Sequence, residues 1–69
     1  MRTLKVRIPV GRTIQIQEVE LYTIAEAKEI LKGKEWDMDI DIFSLKQPNK
    51  RVGWLAKFPD GDGIFVEAI

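Results

Sequence analysis

Strict alternation of apolar and polar residues predicts two half-buried β-strands in this chain. Residues 3–8 read TLKVRI and residues 36–43 read WDMDIDIF. Side chains on a strand alternate between its two faces, so the apolar positions of each segment should share one face. A third segment, TIQIQEVEL from residue 13, alternates at first and then changes parity near Gln17. We expect a β-bulge at that point, or the end of the strand.

A helix is predicted for TIAEAKEILKGK, residues 23–34. Thr23 and Glu26 have the spacing of a capping box, so the helix should begin directly after Thr23. Gly33 suits the left-handed position that follows a helix. The helix carries an apolar stripe that should pack on a sheet, formed by Ile24, Ala27, Ile30 and Leu31.

Glycine and proline divide the rest of the chain into short segments. The sequences PVGR at residues 9–12 and PDGDG at 59–63 are typical of hairpin turns, and the second joins strands predicted at 54–58 and 63–69. The element order is ββαβββ within a single domain, residues 1–69. We therefore expect an α+β fold, a four- to five-stranded mixed or antiparallel sheet with one helix packed on one face. The last strand should be an interior strand or part of a homodimer interface.

Two short stretches resemble the ubiquitin-like, or β-grasp, fold. GRTIQI at residues 11–16 is similar to the first hairpin of that family, and TIAEAKEILKGKE at 23–35 is similar to its helix. The resemblance covers residues 1–35 and ends at Trp36. It implies a sheet wrapped around one helix, a scaffold that is used mainly for binding.

Composition narrows the chemistry that we expect. The chain is 45% hydrophobic and 32% charged, which is typical of a globular protein, and it has no cysteine and no histidine. The commonest general base and the commonest transition-metal ligand are therefore missing. We expect no enzymatic activity, no catalytic residues and no cofactor. Many Lys, Glu and Ile residues also suit a thermophile. No apolar run approaches the ~20 residues of a membrane span, and we expect a cytoplasmic location.

The acidic residues of the segment at 36–43 raise the question of a metal site. They are Asp37, Asp39 and Asp41, and they alternate with Met38, Ile40 and Ile42. A regular strand spreads such carboxylates about 7 Å apart, whereas calcium requires converging oxygens, so we expect no metal. If the apolar residues are buried under the helix, the acids form one outer face. Lys5, Arg7 or Lys57 should pair with that face across neighbouring strands.

These patterns predict a small non-enzymatic protein-binding module, such as an adaptor, an inhibitor or a regulatory subunit. It would use an exposed sheet face or edge. The residues expected to contact a basic partner protein are Asp37, Asp39, Asp41 and Trp36. The alternative is a nucleic-acid-binding protein that uses Lys46, Lys50, Arg51, Trp54 and Lys57. A net charge of zero argues against this alternative.

Overall fold

The computed structural model describes residues 2–68 as a five-stranded barrel with one helix outside it. The elements are β1 (Arg2–Val10), β2 (Thr13–Tyr22), α1 (Ile24–Leu31), β3 (Asp37–Ser44), β4 (Arg51–Lys57) and β5 (Gly63–Glu67). The strand order is β1-β2-β5-β4-β3, and β3 returns to β1. All neighbouring strands are antiparallel except β2 and β5, which are parallel. The predicted α+β class and the ββαβββ order are confirmed.

The β-grasp likeness is not confirmed, because the sheet closes on itself instead of wrapping around the helix. Closure is narrow, since in the described part of the chain β1 pairs with β3 only at Val6–Ser44 and Arg7–Phe43. The last strand, β5, is flanked by β4 and β2. The prediction that it is an interior strand is therefore confirmed, although Ile69 lies outside the described residues.

Local sequence signals define the helix well. The hydroxyl of Thr23 accepts from the Glu26 N–H at 3.1 Å, and the Thr23 N–H donates to the Glu26 carboxylate at 2.9 Å. This capping box satisfies two backbone groups of the first turn, and the helix begins at Ile24 as predicted. Beyond the helix, Gly33 adopts a φ of +74°, a conformation that most residues avoid.

The first hairpin contains no bulge. Its register is continuous from Arg2–Leu21 to Val10–Thr13, so the predicted bulge near Gln17 is wrong. Ile14 and Ile16 instead lie opposite Pro9 and Arg7, on the outer side of the barrel. The parity change therefore marks the point where the apolar residues of β2 switch from the outer side to the interior. Five apolar residues of the alternating segments and the helix stripe are exposed instead of buried: Leu4, Ile14, Ile16, Ile24 and Met38.

Two apolar clusters lie on opposite faces of the sheet. The interior cluster fills the barrel and consists of Val6, Ile8, Val19, Leu21 and Ile42. The outer cluster lies between α1 and the outside of β4 and β5, and consists of Ala27, Leu31, Ala56 and Val66. Phe65 packs on the interior cluster, whereas its neighbour Val66 belongs to the outer one, as strand alternation requires.

A register shift in β3 interrupts the alternation of Asp37, Asp39 and Asp41. Asp37 lies opposite Lys57, and Asp41 lies opposite Trp54, with an irregularity between them. Lys57 and Trp54 are three positions apart on a regular stretch of β4, so they point to opposite sides of the sheet. The prediction that the three aspartates share one face is therefore wrong. Met38 is exposed rather than buried under the helix.

Candidate binding groove

A groove of about 380 Å³ opens between α1 and the outer face of the sheet. Ala27 and Leu31 of α1, together with Val66 of β5, form a buried aliphatic floor. Ile24 extends the aliphatic surface at the start of α1 and is 42% exposed. The groove is thus the part of the outer cluster that the helix leaves uncovered.

Two tryptophans form one wall of the groove. Trp36, in the connection before β3, stacks on Trp54 of β4 with ring centroids 5.5 Å apart and planes inclined by 23°. A stacked aromatic pair contributes roughly 0.5–1.5 kcal/mol beyond its buried area. Trp54 is held by its pairing opposite Val66 on one side and Asp41 on the other. Trp36 remains 38% exposed.

Lys28 of α1 and Lys32, the residue directly after α1, complete the lining. Lys28 and Lys32 are four positions apart, so they are neighbours on one helix face. Among the residues that the structure describes, no carboxylate lines the groove. The result is an apolar floor with a positive rim. Nearby, the Lys34 ammonium lies 5.4 Å from the centroid of the Phe58 ring, a cation–π contact that helps to anchor the segment leading to Trp36.

The predicted acidic site residues do not converge. Asp37 and Asp39 are exposed and line a separate shallow cleft with Lys57 and Phe58. Asp41 accepts from the Arg51 guanidinium at 2.8 Å. Within residues 2–68, no group of three or more potential metal-ligating side chains comes together.

The expected partners of the acids are only partly correct. Lys57 lies opposite Asp37 as predicted. Lys5, however, lies opposite Glu18. The Arg7 guanidinium donates to the Leu45 carbonyl at 3.1 and 3.3 Å. Neither Lys5 nor Arg7 therefore lies opposite one of the three aspartates.

The basic segment at 46–57 is likewise divided. Lys46 and Lys50 lie in the exposed connection between β3 and β4. Arg51 is paired with Asp41, and Lys57 points away from the side of the sheet that carries Trp54. The five residues of the nucleic-acid hypothesis therefore do not form one surface.

Sequence reasoning missed the contribution of Lys28, Lys32 and Ile24 to a site. The apolar stripe predicts that Ile24 packs on the sheet, and no pattern in the sequence identifies Lys28 or Lys32 as a binding residue. The four-position spacing of Lys28 and Lys32 is visible in the sequence, but it gives no indication of which residues pack beside them. The missing information was the approach of Trp36 to Trp54 across 18 positions of sequence, which only the folded sheet creates.

In comparisons with known proteins, the chain matched no family model, no curated protein and no solved structure. In the part of the chain that the structure describes, no helix has the length and apolarity needed to cross a membrane.

Proposed function

We propose that this protein is a small, non-enzymatic, cytoplasmic protein-binding module whose groove takes an amphipathic segment of a partner protein. Such a module would act as an adaptor, an inhibitor or a regulatory subunit. One observation carries the proposal: an aliphatic floor and a tryptophan wall are combined with a rim whose charged residues are Lys28 and Lys32. Half-exposed tryptophans beside a desolvated pocket are typical of the residues that dominate binding energy at interfaces.

The occupant that best fits this lining is an amphipathic helix with acidic flanks. A volume near 380 Å³ lies within the range of about 300–1,000 Å³ for pockets that enclose small ligands or anchoring side chains. Apolar side chains one helical turn apart would enter the groove, and carboxylates beside them would meet Lys28 and Lys32. The acidic segment replaces the basic partner expected from the sequence, because Asp37 and Asp41 point to opposite sides of the sheet.

Several features favour a protein over a nucleic acid in the groove. Aliphatic side chains form its floor, whereas proteins that bind single strands offer free aromatic faces to successive bases. Trp36 and Trp54 already stack on each other. The net charge of the chain is zero, and the residues of the basic segment at 46–57 do not form one surface.

The proposal can be tested with a designed helical peptide that has leucines at i, i+3, i+4 and i+7 and glutamates on both flanks. The two tryptophans of the chain both line the groove, so their fluorescence should change on binding. The double substitution Lys28→Glu and Lys32→Glu should weaken binding at least about tenfold, equivalent to 1.4 kcal/mol, because it places like charges at the rim.

The matched control is Lys46→Glu with Lys50→Glu, which makes the same charge change in the exposed β3–β4 connection and should leave the affinity unchanged. A scrambled peptide that binds equally well would contradict a groove for an amphipathic helix. A fluorescence change with oligothymidylate that is lost in the Lys46 and Lys50 control variant would instead favour the nucleic-acid alternative.

A further inference from the structure

Among residues 2–68, one edge of β2 has no partner strand over most of its length. Its other edge pairs with β1 throughout, but β2 meets β5 only at Leu21 and Tyr22. The hairpin tip, residues 10–18, is exposed at every position. Within it, Ile14 is 61% and Ile16 is 58% exposed. An apolar strand with a free edge can pair with a strand of another chain.

A second free edge, that of β3, is protected against pairing with another chain, unlike the edge of β2. In the described residues, β3 meets β1 only at Phe43 and Ser44, so residues 37–42 lack a partner on that side. This stretch carries Asp37, Asp39 and Asp41 and also contains a register shift. Both charges and bulges prevent strands from pairing at an edge. Residues 13–17 of β2 contain no charge and no proline, and their pairing has no bulge.

We propose that two copies of this chain associate by antiparallel pairing of their β2 edges, around a two-fold axis at Gln15. In this register Ile14 of each copy lies opposite Ile16 of the other. Arg12 of each copy, in the turn, lies opposite Glu18 of the other. Apolar residues and opposite charges are therefore matched on one face of the joined sheets, and both kinds of cross-strand pair are stabilising.

The backbone of the hairpin supports the same register. The turn has two residues, and Gly11 has a φ of +59°, while Arg12 does not have a positive φ, which is typical of a type II′ turn. Such a turn joins hydrogen-bonded partners, here Val10 and Thr13. Because hydrogen-bonded and non-bonded positions alternate, the N–H and C=O groups of Ile14 and Ile16 point away from β1. The proposed register pairs those outward groups with each other.

Neighbouring registers do not match as well. A shift of one position places Ile14 opposite a glutamine, whose backbone groups already point towards β1. An axis at Ile16 places Ile14 opposite Glu18, and an axis at Ile14 places Ile16 opposite Arg12. Only the axis at Gln15 pairs both isoleucines of each copy with isoleucine and also pairs arginine with glutamate. The interface is isologous, so it closes as a dimer and does not propagate into a fibre.

A single introduced cysteine tests the axis directly, because the chain has none of its own. In Gln15→Cys, the two cysteines would face each other as a non-hydrogen-bonded pair with Cα atoms about 4.5 Å apart, within the range for a disulfide. Mild oxidation should give a covalent dimer. In the control Thr13→Cys, the two cysteines would be four positions out of register, more than about 13 Å apart, and should not cross-link. Equal cross-linking of the two variants would overturn the register.

Charge reversal tests the association without a covalent bond. Arg12→Glu alone and Glu18→Arg alone should each raise the dimer dissociation constant measured by sedimentation, because like charges then face each other. The double variant should restore the wild-type constant. Circular dichroism verifies that each variant is folded. A wild-type protein that remains monomeric at millimolar concentration would overturn the proposal.

Discussion

The interior and outer clusters occupy opposite faces of the same sheet, yet they are covered in different ways. The barrel itself closes around the interior cluster, where Val6 and Ile42 have no exposed surface. The outer cluster depends on α1, whose eight residues extend only about 12 Å. Ile24, the first residue of the helix, and Trp36, in the wall of the groove, remain substantially exposed.

This difference explains why the candidate site lies on the outside of the barrel. A closed sheet of five short strands fills its own interior with side chains and leaves no entry for a ligand. A short helix covers only part of a sheet face, and the uncovered remainder is a groove with a rigid floor. The floor lies on α1 and β5, and Trp54 lies on β4, so secondary structure positions most of the groove in advance, which reduces the entropy lost on binding.

The largest effect should come from truncation within the interior cluster. Ile42→Ala should lower the free energy of unfolding by about 2–5 kcal/mol, since it leaves a cavity that the closed barrel cannot fill. Leu31→Ala in the outer cluster should fall at the lower end of that range, because Trp36 and the open groove allow the site to relax. Urea denaturation of both variants measures the difference.

Equal losses, or a larger loss at Leu31, would contradict the distinction between a closed and an open cluster. Binding of the designed peptide provides a second way to distinguish the interior cluster from the outer cluster. Ile42→Ala, if folded, should retain the groove, whereas Leu31→Ala removes part of its floor and should weaken binding.

An intermediate effect is expected where β4 passes between the two clusters. Gly53 is buried, and a β-carbon at this position would overlap the backbone carbonyl oxygen of Val66 and crowd the Ile42 side chain. Gly53→Ala should therefore cost about 1–3 kcal/mol as an overpacking substitution. Thermal denaturation provides the measurement, and an unchanged midpoint would show that β4 and β5 can separate at this point without penalty.

The smallest effect concerns the helix that covers the outer cluster. Thr23→Ala removes the hydroxyl that accepts from the Glu26 N–H and should cost about 1 kcal/mol. Thr23→Ser retains an oxygen at the same place and is the matched control. If the alanine variant is as stable as the serine variant, the capping hydroxyl does not contribute to the stability of α1.

Short-range signals in the sequence identified the elements correctly. Alternation located the strands, the capping box located the first residue of α1, and Gly33 marked its end. Each of these signals acts between residues at most a few positions apart, where local sterics and hydrogen bonds decide the conformation.

Tertiary structure decided which face of each strand is buried and where the site is formed. The pattern TIQIQ has the same alternation whether its isoleucines point inward or outward, and only the long hairpin, which extends past the barrel, leaves Ile14 and Ile16 exposed. The register shift in β3 and the meeting of Trp36 with Trp54 depend on strand pairings between distant residues. A period of two determines that faces alternate, but closure of the sheet determines which of the two faces becomes the interior.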